Sequence, residues 1–361
     1  MKIRDVRATL LRTRSIFVEV ETEDGAVGLG ECSPMNGPVL AHFVNTALRP
    51  LLLGEDPRDI GRLWHKMLTR TYKLGVQGVQ PEAIAGVDIA LWDLLGKSVG
   101  LPVYTLLGGK HRERIQMYAS IGGGAALSPA EMAGRVQKAL DQGFRAFKIR
   151  MDWGVARQNA DPAKDLEMFR LCRELIGPDM PLSFDANNGY SVSTAIQQGR
   201  RFEALGIVHF EEPIAQYDYA GMAQVAAALD VPISAGEHEY TRWQFRDLIL
   251  QAQVDIVQPD VVKCAGLSEA QRIAVLAETF NRQFLPHQTQ PTLGTAANLH
   301  LCCTLPHCTR PQEYTGPRPE LEEMFEAPYV FEEGCLQIPD RSGLGLTLKP
   351  GALERMAAER G

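Results

Sequence analysis

The sequence predicts an α/β protein whose second half forms a (β/α) barrel, preceded by a small α+β unit. Six polar residues of that half lie 26, 26, 23, 27 and 26 positions apart, close to the length of one strand–loop–helix unit. Each one ends a short apolar run that is typical of a buried strand. The carboxyl ends of barrel strands converge on one mouth, so we expect these side chains to meet there. The six residues are Asp185, Glu211, Glu237, Asp260, His287 and Glu313.

The composition is that of a large globular enzyme. The chain has 361 residues, 45% of them apolar and 22% charged, which is enough for about two domains. The net charge of −7 gives no basic footprint for nucleic acid, and no apolar run is long enough for a membrane helix. The N-terminus lacks the apolar segment of a secretory leader, so we expect a cytoplasmic protein without a membrane partner. The seven Cys, an odd number with no CxxC pair, are expected as reduced thiols rather than a zinc site.

The first elements in chain order form the α+β unit. Asp24 and Gly25 lie between two β-rich runs and predict a hairpin. A long helix with an apolar stripe follows and ends near Gly100. Asp88 and Asp93 on this helix are better explained by a helix face that meets the next domain than by a functional site.

From about residue 113 the pattern changes to alternating strands and helices. The run IQMYAS predicts the first barrel strand, and RAFKIRM predicts the second. Between them, Ser128 and Glu131 form a capping box with Pro at the first helical position, and the helix should end at Gly143. We expect Ser191 to cap the helix after the third strand and Gly206 to end it. Beyond residue 315 the sequence returns to short extended pieces, which we expect to pack on the N-terminal unit.

Three of the strand-end carboxylates predict a metal site. Asp185, Glu211 and Glu237 follow three consecutive strands and cannot all stay ionised at short range without a cation. Oxygen ligands of this kind suit Mg²⁺ with open positions for a substrate. The alternative is three separate salt bridges to helix ends. Because strand side chains alternate, Glu212 is expected on the opposite face, and Asn187 on the side of Asp185, where it would orient that ligand or contact the substrate.

Two pairs of residues supply candidate catalytic groups. Lys148 and Arg150 lie two apart on one strand, so both should face the barrel interior and meet the metal ligands or a substrate carboxylate. The alternative for a strand-end Lys is solvent. Asp260 and His287 end adjacent strands, where the carboxylate would fix the tautomer of the imidazole and make it a general base. Glu313, at the end of the last strand of the set, is a further candidate catalytic and substrate-binding group.

Two other kinds of site are not expected. The run IGGGAA lacks the spacing of a dinucleotide-binding glycine motif, and HEY at 238–240 lacks the HExxH spacing of a zinc protease.

The strand-end residues carry a family resemblance that covers nearly the whole chain. They occur in the phrases FKIR, DAN, EEP, GE, QPD, LPH and QEY, in this order, and GVDIALWDLLGK and LPVYTLLGG match the region before the barrel. With these motifs the chain resembles the mandelate racemase subgroup of the enolase superfamily. Each motif is weak by itself, but their order and spacing are highly specific.

The resemblance implies an N-terminal α+β capping domain, completed by the C-terminal tail, and a (β/α)7β barrel that binds Mg²⁺ through Asp185, Glu211 and Glu237. The implied boundaries are 1–112 for the capping domain, 113–318 for the barrel and 319–361 for the tail. The common step of the family is abstraction of a proton next to a carboxylate, with the metal stabilising the enediolate. Lys148 and Glu313 would contact the substrate carboxylate, and a homo-oligomer is the expected assembly.

Two departures from the family pattern bear on the reaction. Arg150 stands where the family often has a second Lys that serves as a base, and a guanidinium is a poor base. With His287 as the one clear base, the sequence favours an acid-sugar dehydratase, a lyase that eliminates water after proton abstraction. The second departure is the short LRTRS connection between the first two strands, which leaves Tyr72 and Lys73 as candidates for covering the mouth.

Two alternatives stay open at this point. One is a racemase, epimerase or lactone cycloisomerase of the same family. The other is a barrel that binds a carboxylate ligand without turnover, which the Asp260–His287 pair argues against because simple binding needs no general base.

Overall fold

A computed structural model describes residues 1–358 of the protein. One hydrophobic core fills the N-terminal unit and another fills the barrel. All seven Cys are free thiols, as expected from the sequence. Among residues 1–358, none of the helices combines the length and the apolar composition that a membrane span requires.

The N-terminal unit is an antiparallel sheet covered by helices. Its strands are β1 (Ile3–Leu10), β2 (Ile16–Thr22) and β3 (Val27–Cys32). Its helices are α1 (Gly37–Phe43), α2 (Arg49–Leu52), α3 (Ile60–Thr71), α4 (Val79–Val99) and α5 (Val103–Leu106). The strands pair in the order β1–β2–β3, and the predicted hairpin joins β2 to β3 with Gly25 at a φ of 83°. This left-handed conformation is the one that a DG turn supplies.

Helix α4 lies between this sheet and the barrel. The sequence predicted one apolar stripe, but the helix is buried on nearly all sides because β3 and the barrel both pack against it. The packing on β3 is so close that a Cβ on Gly30 would lie 2.0 Å from the carbonyl oxygen of Gly86. Asp88 accepts hydrogen bonds from the hydroxyl and amide of Ser268 in the barrel, and Asp93 accepts from two backbone amides. Both carboxylates are therefore structural, as the sequence indicated.

Within the described residues, eight parallel strands and seven intervening helices form the barrel. The strands are β4 (Arg114–Ile121), β5 (Phe147–Arg150), β6 (Leu182–Asp185), β7 (Phe210–Glu211), β8 (Ile233–Ala235), β9 (Ile256–Val257), β10 (Gln283–Phe284) and β11 (Gln312–Tyr314). The helices are α6 (Pro129–Asp141), α7 (Pro162–Ile176), α8 (Val192–Glu203), α9 (Tyr219–Ala228), α10 (Arg242–Asp247), α11 (Leu267–Thr279) and α12 (Leu293–Cys302). Consecutive strands pair from β4 to β10, and β11 returns to pair with β4. The predicted (β/α)7β fold is confirmed.

Local signals in the sequence define where the barrel helices begin. Ser128 accepts from the amide of Glu131, and the Glu131 carboxylate accepts from the amide of Ser128, which completes the predicted capping box of α6. Ser191 caps α8 by accepting from the amide of Thr194. These caps end the loops that lead away from the mouth of the barrel.

The C-terminal segment contacts both halves of the molecule. Its elements are α13 (Pro319–Glu322), β12 (Phe331–Glu332), β13 (Cys335–Gln337) and α14 (Ala352–Met356). Strand β13 pairs antiparallel with the start of β4, and Ala358 donates its amide to the carbonyl of Leu10 in β1. The domain boundaries after residues 112 and 318 stay predictions.

Candidate active site

The ends of the barrel strands bring the predicted polar residues to one mouth. Asp185, the last residue of β6, is in register with Glu211 at the end of β7. Glu237 follows β8 by two residues. Asp260 and His287 follow β9 and β10 and form an isolated parallel bridge. The regular spacing of these polar residues in the sequence therefore places their side chains in one ring at the mouth of the barrel.

Lys148 is the central cation of the barrel interior. Its ammonium nitrogen lies 2.5 Å from Glu211 Oε1, 3.1 Å from Glu313 Oε1 and 3.9 Å from Asp185 Oδ2. The residue is fully buried, and a buried ammonium needs such partners. Lys148 thus faces the carboxylates rather than solvent, as the sequence indicated.

Glu313 is held at both of its carboxylate oxygens. The hydroxyl of Ser120 donates to Oε1 at 2.5 Å, and the amide of Gln288 donates to Oε2 at 2.9 Å. With Lys148 as the third contact, these bonds place an ammonium and an oriented carboxyl group side by side at the buried end of the mouth.

The Asp260–His287 pair has the geometry of an oriented imidazole. His287 Nδ1 lies 2.7 Å from Asp260 Oδ2, and the amide of Val262 donates to Asp260 Oδ1 at 2.9 Å. On the other side of the ring, Nε2 lies 3.0 Å from Glu237 Oε2. Burial lowers the pKa of His287, but the charge of Glu237, followed by that of Glu313, outweighs burial and raises the pKa well above its ordinary value. Asp260 therefore orients Nε2 toward the carboxylate cluster.

Arg150 and Asn187 flank the cluster. Arg150 Nη1 lies 3.5 Å from Asp152 Oδ1, and its side chain keeps 24% of its surface accessible. Asn187 Nδ2 donates to Asp185 Oδ2 at 3.0 Å, while the amide of Asp152 donates to Asn187 Oδ1 at 2.7 Å. The contacts of Asn187 orient Asp185, which is one of the two roles that the sequence indicated.

Glu212 also lies at the mouth, contrary to the alternation argument. The chain leaves β7 with Glu212 at a φ of 40°, so the alternation of a regular strand ends there. Glu212 Oε1 and Glu237 Oε1 both lie 3.5 Å from His238 Nε2. In the described part of the chain, Glu212, Glu237 and His238 form a group in which the possible ligand atoms all lie within 4.8 Å of one another. Asp185 and Glu211 are not in that group, so their role as ligands stays a prediction.

Burial and mutual repulsion set the charge of the cluster. Burial, followed by the charge of Glu211, raises the pKa of Asp185 well above its usual range. Burial, followed by the charge of Glu237, also raises the pKa of Glu212. Burial also acts to raise the pKa of Glu211, but Lys148, together with His209 and the hydrogen bond from Gln258, outweighs burial and lowers it. Additional positive charge at the mouth would relieve this repulsion.

The donor atoms of the mouth fit a divalent cation. They are carboxylate oxygens apart from one imidazole, and Glu212 Oε1 and Asn188 Oδ1 are buried without a hydrogen-bond partner among residues 1–358. Free oxygen atoms beside ionised carboxylates suit a hard cation such as Mg²⁺. The mouth is therefore a candidate acidic metal site.

Some contacts of the site were missed in the sequence. Gln258 Nε2 donates to Glu211 Oε2 at 2.7 Å. A signal for Gln258 was available, because it stands two residues before Asp260 and so shares its face of the strand. Ser120 gave no such signal, since it reaches Glu313 only through the closure of β11 on β4, and the contact of Gln288 uses a backbone amide, which residue identity does not reveal.

The fold and the site together define a (β/α)7β barrel enzyme in which a lysine–carboxylate cluster and an oriented imidazole share one mouth. The sequence matches two family models: residues 3–108 match the mandelate racemase/muconate lactonizing enzyme N-terminal domain, and residues 131–352 match the enolase C-terminal domain-like family. The chain belongs to the mandelate racemase subgroup of the enolase superfamily, as its motifs predicted.

Known relatives include enzymes that act on acid sugars. The chain is 34% identical to an arabinonate dehydratase from Saccharolobus solfataricus, over 94% of this chain and 89% of that protein. It is also 34% identical to a D-galactarolactone cycloisomerase from Agrobacterium fabrum, over 95% and 91% of the two chains. A mandelate racemase/muconate lactonizing protein from Paracoccus denitrificans, solved in complex with magnesium, is 40% identical, with a TM-score of 0.94 and 99% of each chain covered.

Proposed function

We propose that this protein is a Mg²⁺-dependent acid-sugar dehydratase, a lyase that removes the proton next to a carboxylate and then eliminates water. The observation that carries this proposal is the arrangement of bases. His287 Nδ1 lies 2.7 Å from Asp260 and its Nε2 faces Glu237 of the carboxylate cluster at 3.0 Å, whereas Arg150 stands at the second-base position and cannot accept a proton at neutral pH. The similarity to a dehydratase of an acid sugar supports the substrate class.

The proposed metal ligands are Asp185, Glu211 and Glu237, with Glu212 beside Glu237. When bound there, Mg²⁺ supplies positive charge that stabilises the oxygens of the enediolate. The oxygen-rich donor set of the mouth and the magnesium complex of the similar Paracoccus protein support this choice of metal.

The chain's own residues hold the carboxylate and move the proton. Lys148 and Glu313 lie together at the buried end of the mouth and receive the substrate carboxylate. Metal binding by Glu237 would neutralise the charge that keeps His287 protonated. Nε2 then takes the α-proton, while Asp260 holds Nδ1 and stabilises the imidazolium that forms. The bond from the β-carbon to its hydroxyl oxygen then breaks, and that oxygen takes the proton back from Nε2 and leaves as water. The resulting enol tautomerises to a 2-keto-3-deoxy acid.

A cycloisomerase is the second candidate, because of the similarity to the D-galactarolactone enzyme. The same base would remove the α-proton, but the leaving oxygen would stay in the product. Racemisation is less well supported, because it needs acid–base groups on both faces of the carbon and Arg150 is a poor one.

The test is a screen of mono- and diacid sugars with Mg²⁺ in D2O, followed by NMR. We expect deuterium at the α-carbon together with a 2-keto-3-deoxy product for at least one acid. When the corresponding lactones are added to the screen, a ring-opened isomer formed without loss of water would establish the cycloisomerase. Inversion at the α-carbon without loss of water would establish a racemase.

The variant Asp260→Asn separates the catalytic pair from the metal site. It should slow α-proton exchange by about 10²- to 10⁴-fold, the usual contribution of a general base, with Mn²⁺ affinity unchanged in EPR titrations. The matched control is Asp88→Asn, a buried Asp that accepts from Ser268 away from the mouth and should leave exchange unchanged. Equal exchange in Asp260→Asn and the wild type would remove the pair from the mechanism.

The assembly and location of the chain are also proposals. The homo-oligomer follows from the family resemblance, and the exposed apolar side chains of Met35, Leu74 and Tyr217 are candidates for its interface. A monomer in light scattering would contradict it. The free thiols of all seven Cys support a cytoplasmic location, because disulfides are rare there, and cell fractionation would check it.

A further inference from the structure

Lys263 is a buried cation of the mouth that no carboxylate of the described chain contacts directly. It lies in the turn after β9, three residues beyond Asp260, and is 8% exposed. Within residues 1–358, no carboxylate oxygen lies within 4.0 Å of its ammonium, and no hydrogen bond uses this group. Lys148, by contrast, has three carboxylates in that range. The ammonium nitrogen of Lys263 itself keeps accessible surface, so it is available to a partner from outside the chain.

The surroundings of Lys263 come from both units of the molecule. Its ammonium lies 5.8 Å from the ring centroid of Tyr240, whose hydroxyl donates at 3.2 Å to the buried Glu82 of α4. On the barrel side, Glu237 and Asp260 lie nearby. Burial lowers the pKa of Lys263, but the charges of Glu237 and Asp260, followed by those of Tyr240 and Glu82, outweigh burial and raise the pKa, so the ammonium stays charged.

The charges around Lys263 determine which kind of ligand group can bind there. A second carboxylate at this place would be repelled by Glu82, Glu237 and Asp260. A hydroxyl group avoids this repulsion, because it accepts from the ammonium of Lys263 and donates to the carboxylate of Glu82. An oxygen that bridges two groups at ordinary hydrogen-bond lengths separates them by about 5 Å. Lys263 and Glu82 are close enough to influence each other's charge but form no direct ion pair, which leaves both groups able to bind one hydroxyl.

We propose that Lys263, Glu82 and Tyr240 form a subsite that binds one hydroxyl group of the sugar-acid chain beyond its α-carbon. This rests on the proposed function, since it takes the substrate to be a polyhydroxy acid. Glu82 belongs to the N-terminal unit and Lys263 to the barrel, so the bound hydroxyl connects the two units. The affinity of the subsite depends on the position and configuration of that hydroxyl. Other residues carry out the reaction at the α-carbon.

The test compares Lys263→Met with the wild type, both loaded with Mg²⁺, in calorimetric titrations. The probes are lactate, which has no hydroxyl beyond the α-carbon, and erythronate, arabinonate, gluconate and galactarate. The variant should bind at least one polyhydroxy acid about 10- to 100-fold more weakly, the loss expected for one hydrogen bond to a charged group, and lactate equally well. The control Lys66→Met removes a Lys that pairs with Glu55 in the N-terminal unit, and it should bind all probes as the wild type does.

Further variants separate recognition from structure. Lys263→Arg keeps donors and should recover part of the affinity. Glu82→Gln should weaken the same acids, and the double variant should lose less than the two single losses combined, because both groups bind one hydroxyl. Circular dichroism should show that Lys263→Met without ligand is folded as the wild type is, so that a loss of affinity reports recognition rather than unfolding. Unchanged affinity in both single variants, or equal losses for lactate and the polyhydroxy acids, would overturn the subsite.

Failure of the proposed function has a different signature. If the wild type binds none of the acids, the dehydratase proposal fails and the subsite fails with it. If the wild type binds a polyhydroxy acid without α-proton exchange in D2O, the dehydratase proposal fails while the affinity comparison still decides the subsite. If binding and exchange occur and the variants match the wild type, the subsite alone fails.

Discussion

Glu31, a carboxyl group of β3, should make the stability of the protein depend on pH. It is fully buried, its Oε2 accepts from the amide of Gly294 at 2.9 Å, and its Oε1 has no partner among residues 1–358. Burial raises the pKa of Glu31 from 4.5 to about 8, although the Gly294 hydrogen bond opposes the rise. Because Gly294 lies in the first turn of α12 in the barrel, ionisation of Glu31 acts on the contact between the two units.

The direction of the effect follows from where the proton resides. Between pH 4.5 and about 8 the folded protein keeps the proton of Glu31, whereas the unfolded chain has released it. The stabilisation is fully present below pH 4.5 and is lost as the pH rises to about 8. The difference between the two pKa values corresponds to about 5 kcal/mol in total, and to about 3 kcal/mol between pH 6 and pH 8. For a chain of this length that is roughly 4 °C in melting temperature.

The variant Glu31→Gln removes the titrating group and keeps an oxygen that accepts from Gly294. Thermal unfolding of both proteins at about pH 6 and about pH 8 measures the difference. The melting temperature of the wild type, relative to the variant, should fall by about 4 °C over this range. Glu320→Gln, at an exposed position of α13, should follow the wild type. Parallel pH profiles of Glu31→Gln and the wild type would refute the assignment of a proton to the buried carboxyl.

Other predictions concern the metal, the mouth and the packing of the N-terminal unit. Removal of divalent ions with EDTA should abolish α-proton exchange in D2O, and Mg²⁺ should restore it; exchange that survives EDTA would contradict the metal site. Lys148→Met leaves its three carboxylate neighbours without a cation and should lower the free energy of unfolding by about 3–5 kcal/mol in urea titrations; an unchanged midpoint would contradict the role of the ammonium. Glu212→Gln should weaken Mn²⁺ binding about 10- to 100-fold in EPR, and equal affinity would exclude this carboxylate from the metal site. Gly30→Ala places a Cβ 2.0 Å from the carbonyl oxygen of Gly86 and should cost about 1–3 kcal/mol or more, whereas wild-type stability would show that α4 can shift without cost.

Much of the fold and the catalytic pair could be predicted because their signals are local. The capping box of Ser128 needs only four consecutive residues, and the length of a βα unit needs only one strand and one helix. Once these units close into a barrel, residues at the same place in successive units must become neighbours. The hydrogen bond of 2.7 Å between Asp260 and His287, 27 positions apart, is the direct result.

The features that the sequence did not predict depend on backbone turns and contacts that a local residue pattern does not contain. Glu212 lies beside Glu237 because the backbone turns to a φ of 40° just after β7, where the alternation of side chains no longer holds. Helix α4 is buried on nearly all sides because the barrel covers the side away from β3, and one amphipathic pattern cannot show how many neighbours a helix has. Lys148 was expected to face anions, but its position between Glu211 and Glu313 required the closure of β11 on β4.

The two lysines of the mouth differ in their contacts with carboxylates, and this difference indicates two different roles. Lys148 is fully buried and neutralised by three carboxylates, so it belongs to the end that holds the substrate carboxylate and the metal ligands. Lys263 is nearly as buried but has no carboxylate within 4.0 Å in the described chain, so its charge is available to the remainder of the substrate. In the functions proposed above, one end of the mouth carries out the reaction and the junction with the N-terminal unit selects the acid. Substitutions at Glu82 and Lys263 should change which polyhydroxy acid is preferred, whereas substitutions at Lys148 should weaken every acid alike.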